Sequence, residues 1–301
     1  MSLSSAPAPA LADWPDLAVT AEAVIVLSDR VWRISAGNPG LMTGPGTNSY
    51  LLLGPEAVAV VDPGPADEAH FQALMAAVRH SGRPLRHILL THTHRDHSPG
   101  CAALVAATGA RVHGLPPLAE DPSQDRDTVV DVELRGHCWD ALGWPLTVLH
   151  TPGHVENHLC FADLEQGWVI TGDHLIQGST VVIIPPHGRL ADYMASLRLL
   201  LDYPLEAVLP GHGRVMTGAR QVIAGTLAHR QQREDKVLER LAGQPPLALA
   251  DLVPLVYDDV APWLHPVARF SLWAHLIKLE EEGRAVCRNE LWQLQVAAGV
   301  E

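Results

Sequence analysis

The chain is 301 residues long, 47% hydrophobic and 18% charged, with a formal net charge of -13 and a pI near 5.7. That length admits one large domain and a small one, and the composition is that of a globular chain with a substantial core. The negative charge disfavours a broad phosphate-binding surface of the kind on which nucleic-acid affinity rests, and leaves a local basic patch open.

Residues 1–19 are rich in Ala, Pro and Ser and read as a flexible leader without the basic and apolar regions of a secretory signal. No apolar run approaches the ~20 residues of a membrane span, so no membrane partner is expected. Cys101, Cys138, Cys160 and Cys287 form no CxxC pair and read as reduced thiols, which makes the cytoplasm the expected compartment. Segments 24–35, 48–53 and 57–62 have the pattern of a three-stranded meander broken by Gly and Pro turns. The helical spacing of Phe71, Leu74, Met75 and Val78 predicts a helix over 68–80, and 85–90 is a short apolar strand. Directly after it comes Thr91-His-Thr-His-Arg-Asp-His97. Ser98 and Pro99 then have the form of an N-cap and a first helical residue, opening a helix over 100–108.

The pattern recurs with different content. Apolar runs at 146–150, 168–171 and 207–209 each lead into a loop that carries His154, Asp173 or His212. Loops at the ends of rigid strands are where such folds collect functional groups. Loops 37–47 and 184–188 are expected to rim the same opening, and the apolar run 181–184 reads either as a core strand or as a substrate wall. From 227 the character changes to three helices, at 227–242, 249–257 and 266–282, and a hairpin over 283–292, the outline of a winged helix.

In an extended tip His92 and His94 face the same side, and the following turn brings Asp96 and His97 alongside. Two imidazoles are thus offered to one metal, and a carboxylate with an imidazole to a second. His154 completes the first set and His212 the second, while Asp173 is the natural bridge, since a carboxylate has two oxygens. Nitrogen and oxygen donors of this kind suit Zn²⁺, two per chain, with Fe or Mn as alternatives. A hydroxide shared between two such cations is a nucleophile near pH 7. Asp96 is the expected catalytic residue, being both a ligand and the group that orients that hydroxide. Of the 17 histidines, His70, His80, His87, His229 and His275 lack ligand spacing and read as ordinary. His158, His174 and His187 stay open between supporting groups and surface residues. Asp62 is expected to anchor a ligand through hydrogen bonds.

Together, residues 91–97, 151–154, 172–173 and 210–212 resemble the metallo-β-lactamase superfamily over roughly 20–226. The segments Asn38-Pro-Gly40, Gly44-Pro-Gly-Thr-Asn-Ser-Tyr50 and Thr91–Gly100 resemble, more narrowly, its β-lactamase-like protein 2 group. The resemblance implies an α/β fold, a four-layer αββα metallo-β-lactamase sandwich, with a small C-terminal winged-helix-like domain. The expected organisation is a leader (1–19), a catalytic domain (20–226) and a winged-helix-like domain (227–301). His94 stands where flavodiiron oxygen reductases carry Glu, and Asp96 stands where secreted lactamases usually have no second-site carboxylate, so neither activity is expected. The implied function is a dinuclear zinc-dependent hydrolase acting on an ester, thioester or amide of a small to medium metabolite. The alternatives are a single-strand endoribonuclease, with RNA as partner, a mononuclear iron oxygenase and a non-enzymatic binding protein. Arg214, Arg220, Arg230, Arg233 and Lys236 are the candidate basic strip for RNA, interrupted by Glu234, Asp235 and Glu239. The mostly apolar helix 266–282 suits docking or homodimerisation better than DNA reading.

Overall fold

The structure, a computed structural model, describes residues 10–136 and 138–295. Its first half runs β1 (Val24–Val26), β2 (Val31–Ser35), β3 (Asn48–Leu53), β4 (Val58–Val61), α1 (Glu68–Ser81), β5 (Leu85–Leu89), α2 (Cys101–Thr108), β6 (Arg111–Gly114) and β7 (Val132–Glu133). These strands form one sheet in chain order, antiparallel as far as β4 and parallel from there to β7. The second half runs β8 (Cys138–Trp139), β9 (Leu146–His150), β10 (Leu159–Asp163), β11 (Trp168–Gly172), α3 (Leu190–Leu200), β12 (Ala207–Pro210), β13 (Met216–Thr217) and α4 (Ala219–Leu241). Its sheet is ordered β13-β12-β11-β10-β9-β8, with β11–β12 its parallel pair. The chain closes with β14 (Leu247–Ala248), α5 (Leu249–Val256), α6 (His265–Glu281), β15 (Ala285–Arg288) and β16 (Leu291–Leu294), the last two being the expected hairpin.

The layers follow from strand periodicity. On β3, Tyr50 and Leu52 enter the core between the sheets, while Leu51 and Leu53 pack with Leu74 of α1 and Leu104 of α2. On β10, Phe161 joins the inter-sheet core and its neighbours Cys160 and Ala162 pack toward α3 and α4. Strands buried on both faces alternate between two cores rather than between core and water. The result is helix, sheet, sheet, helix, with a separate apolar cluster built from the end of α4, α5, α6 and the hairpin.

Two expectations are corrected. Segment 24–35 is a hairpin of two strands, not one: the Leu27 and Ser28 amides both donate to the Val31 carbonyl, and Ser28 Oγ accepts from the Arg30 amide. Helix α2 opens two residues later than the Ser98 cap implied, with Gly100 at the N-cap, because the residues before it are held in the turn that carries the histidine cluster. Of the leader, residues 1–9 lie outside the described residues. From Leu11 to Asp16 the chain forms a 3-10 turn that buries Trp14, 2% exposed, in the inter-sheet core. The division expected between 226 and 227 falls inside α4, whose Ile223 packs in the sandwich and whose Val237 and Leu241 pack in the C-terminal cluster. Among the described residues no helix is long and apolar enough to cross a membrane.

Candidate metal centre

Five strand ends meet at one edge of the sandwich. β5 leads into the loop of His92, His94, Asp96 and His97; β9 leads to His154, β11 to Asp173, β12 to His212 and β4 to Asp62. Close approach there demands small residues: a Cβ on Gly211 would lie 2.8 Å from Asp173 Oδ1 and 2.9 Å from His97 Cε1. Gly153, at φ +136°, lets the His154 loop press against the backbone of Tyr193 on α3.

The structure brings all seven expected ligands together in two groups. In one, His94 Nδ1 lies 3.0 Å from His92 Nε2 and 3.1 Å from His154 Nε2. Asp173 Oδ2 is 3.6 Å from His154 Nε2. In the other, Asp96 Oδ2 is 3.4 Å from His97 Nε2 and 3.3 Å from His212 Nε2. Asp173 Oδ1 faces this second group, 3.4 Å from His97 Nε2 and 3.1 Å from His212 Nε2. Each oxygen of Asp173 thus serves one group, and each group converges closely enough to hold a metal ion.

The outer ring nitrogens fix which way the lone pairs point. Asp62 accepts the Thr91 amide at 2.7 Å, the Thr91 hydroxyl at 2.6 Å and His97 Nδ1–H at 2.9 Å. Because the Thr91 hydroxyl hydrogen is committed to Asp62, its oxygen accepts from His92 Nδ1–H at 3.0 Å. His154 Nδ1–H donates to the Val182 carbonyl at 2.9 Å and His212 Nδ1–H to the Gly46 carbonyl at 3.3 Å. With Nδ1 committed as a donor, each of these four imidazoles turns its Nε2 inward, where it can give its lone pair to a cation. Facing lone pairs at such distances repel unless a cation lies between them, and His97 Nε2 and Asp173 Oδ1 are buried without a hydrogen-bond partner. The donor set fits a pair of divalent metals.

The Asn38-Pro-Gly and Gly-Pro-Gly-Thr-Asn-Ser-Tyr segments brace the second group. Asn38 holds the Thr47 amide and hydroxyl at 2.8 and 3.0 Å, and Thr47 Oγ1 reaches Asp96 Oδ2 at 3.4 Å. Asn48 Nδ2 donates to the Pro210 and Gly213 carbonyls at 2.9 and 2.8 Å, clamping the His212 loop from both sides.

Electrostatics divide the two groups. Burial, with repulsion from neighbouring imidazoles, pushes His92 well down and His94 to about 3, and burial also lowers His154. At His97 and His212 burial acts in the same direction, but the carboxylates of Asp96 and Asp173 outweigh it. His97 is raised well above its ordinary value and His212 to about 9. Burial disfavours charge on Asp96 and Asp173, yet the facing imidazoles hold both carboxyls low. The second group is a field that attracts positive charge.

Of the histidines left open, His158 and His174 are buried behind the first group, with His158 stacked near His92 at 5.2 Å and His174 at 5.8 Å. Burial keeps both neutral, His174 at about 3. His187 lines the cavity above the clusters. One support was missed: His70, read as ordinary, is fully buried and bridges Glu22 at 2.9 Å to Ser49 at 2.8 Å, and Ser49 Oγ donates to the Asp62 carbonyl. Its place with Leu74, Ala77 and Val78 on the inner face of α1 was the available signal.

A cavity of about 830 Å³ opens over the two groups, with His94, Asp96, His154, Asp173 and His212 on its floor. Its walls are mainly apolar and include Leu41 and Met42 from the 37–47 loop and Ile184 and Pro185 from the other expected rim. Segment 181–184 forms no strand: Ile183 packs in the core while Val181, Val182 and Ile184 line the cavity.

A family model described as the metallo-β-lactamase superfamily matches residues 42–212, more than half of the chain. The chain belongs to the metallo-β-lactamase superfamily. A second model, the β-lactamase associated winged helix domain, matches residues 248–292, the cluster of α5, α6 and the hairpin. A β-lactamase-like protein 2 homolog of Drosophila melanogaster is 32% identical over 273 residues, covering 87% of this chain and 91% of the relative. An atrochrysone carboxyl ACP thioesterase of Aspergillus terreus is 30% identical over 216 residues, or 72% of this chain and 64% of the relative, so this metallo-β-lactamase chain spans less than two thirds of that protein's length. The crystal structure of a metallo-β-lactamase family protein from Thermus thermophilus has the same fold, with a TM-score of 0.74 at 24% identity over 89% of this chain and 99% of that one. Membership makes the chain one of a superfamily of metal-dependent hydrolases.

Proposed function

We propose that the chain is a dinuclear zinc hydrolase of esters, thioesters or amides that carry a sizeable apolar group, with thioesters as the leading class. The observation that carries this reading is the pair of donor groups joined by Asp173 on the floor of an apolar cavity. His92, His94 and His154 would hold one metal and Asp96, His97 and His212 the other, with one oxygen of Asp173 on each. When bound there, two divalent cations would supply hydroxide near pH 7 and polarise the scissile carbonyl. The chain's own residues do the rest. Asp62, Thr91 and the Val182 carbonyl keep the imidazole lone pairs inward. Asp96, with 28% of its side chain exposed against 12% for Asp173, can accept a hydrogen bond from water in the cavity and orient its oxygen toward the acyl carbon. The apolar walls exclude bulk water. A relative named as an acyl-carrier thioesterase supports the choice of thioesters.

The test is a parallel assay of zinc-loaded protein on acyl thioesters, lactones and single-stranded RNA, with metal analysis. Two zinc ions per chain and thioester turnover that falls to background in both His94→Ala and Asp96→Ala, without loss of fold, are expected. One iron per chain, or full activity in both variants, would overturn the reading.

A further inference from the structure

The cavity is not closed by the sandwich alone. Leu264, at the end of the 3-10 turn Pro262–Leu264, and Val267, in the first turns of α6, both line it. They belong to the C-terminal cluster of helices, outside the segment matched to the catalytic family, and they take no part in either donor group. Their position is held firmly. Ala274 of α6 packs in the same core as α3, and Glu281 pairs with Arg189 at 2.9 Å, directly after the 181–188 wall. Arg230 of α4 donates to the Val181 carbonyl within that wall. The C-terminal domain is thus seated on the rim and extends two aliphatic side chains into the cavity.

We propose that Leu264 and Val267 form the part of the binding site that selects the acyl group, so that the winged-helix-like domain is a specificity element of the catalytic cavity. The proposal rests on the hydrolase reading above. In that reaction a water oxygen adds to the acyl carbon, the carbon–sulfur bond breaks, the thiolate takes up a proton, and a carboxylate and a free thiol result. The reacting carbon must sit at the polar floor, so aliphatic walls away from the donors meet the remote part of the substrate. A leaving group that carries phosphate needs a cation, and the one arginine or lysine lining the cavity is Arg95, which lies between His94 and Asp96, is exposed and has no ion-pair partner among the described residues, so the uncharged wall of Leu264 and Val267 suits the acyl chain. A cavity of about 830 Å³ accommodates a ligand of drug size. Each methylene buried against such a wall strengthens binding about fourfold.

Butanoyl, octanoyl and dodecanoyl thioesters of N-acetylcysteamine test this against Leu264→Trp and Val267→Trp. Both positions are partly exposed, so the larger ring takes up cavity space rather than core volume. In the wild type kcat/KM rises with chain length. In the variants the octanoyl-to-butanoyl ratio of kcat/KM falls at least about tenfold. A ratio unchanged in both variants, with the wild type active, overturns the proposal and leaves the hydrolase reading standing. If the wild type cleaves no thioester, that reading of the substrate fails, and calorimetric binding of butanoate, octanoate and dodecanoate to zinc-loaded protein decides the wall by itself. Affinity that rises with length and loses the rise in Val267→Trp supports it; affinity independent of length overturns it.

Discussion

His97 shows how one carboxylate behind the two donor groups, Asp62, sets the direction of their rings. Asp62 takes hydrogen bonds from the Thr91 amide, the Thr91 hydroxyl and His97 Nδ1–H, and through the Thr91 hydroxyl it also sets the direction of the His92 ring. One group thereby orients a histidine of each donor group. Asp62 also has a positive φ of 49°, a conformation that Asp tolerates better than most residues. Asp62→Asn keeps the shape but presents an amide hydrogen to one of three donors, which leaves a buried donor unmatched. Partners of this kind typically contribute about 10–100-fold in metal affinity. Chelator competition on Asp62→Asn should therefore show a loss in that range with the fold retained. Wild-type affinity would mean that His97 and His92 are held by packing alone.

At the scale of elements, α4 joins the sandwich to the C-terminal domain, and Glu234 is its buried junction. The carboxylate, 1% exposed, accepts from Lys278 Nζ on α6 at 2.7 Å and from Arg284 beside the hairpin at 2.9 Å. Burial would raise this carboxyl, but hydrogen bonds and charge from His275 and Lys278 outweigh it and hold it at about 2, against an ordinary 4.5. A carboxyl depressed in the folded state adds stability that is fully present above its unfolded value and lost as pH falls through its folded one. Glu234→Gln should cost about 2 kcal/mol near neutrality. Compared in thermal melts, the gap between wild type and variant should narrow as pH falls from about 4.5 toward about 2. A gap independent of pH across that window would show that shape rather than charge matters at this junction. This network was not legible in the sequence, where Arg230, Arg233 and Lys236 on the same helix suggested only a basic strip or a solvated face. The ligand loops were legible because their signal is local: each is a short apolar run followed by His or Asp. The brackets around them were not, since Asn48 meets Pro210 and Gly213 across more than 160 positions of chain. Helix ends drifted for the same reason, and the turn that shapes the histidine cluster delays α2 despite its Ser-Pro opening.

Across the whole molecule, the question of RNA turns on where the cations lie. The strip suggested by the sequence does not exist as a surface. Arg230 is buried against the Val181 carbonyl and the Tyr193 ring. Arg233 binds both oxygens of Asp259, at 2.8 and 2.9 Å, and stacks over Tyr257. Lys236 is paired with Asp258 and Asp259, and Arg220 donates to the Leu201 carbonyl. Of the five, Arg214 alone is exposed without such a partner among the described residues. Affinity for a polyanion grows with the number of phosphates neutralised, and each contributes to a steep fall with salt. One free cation in that strip, on a chain of net charge -13, cannot supply the six to ten phosphate contacts, roughly, of an avid binder. α6 adds one exposed arginine, Arg269, against Glu280 and Glu281 at its end, and its buried face includes Leu272, Leu276 and Leu279. Single-stranded RNA should therefore give no stable complex in a gel-shift titration even at about 50 mM salt, the condition that most favours charge-driven binding. Cleavage of RNA by purified protein should not track Asp96. A complex whose affinity falls steeply between about 50 and 200 mM salt, with cleavage lost in Asp96→Ala, would mean that cations invisible on this surface are recruited on binding, and the apolar cavity would then need another occupant.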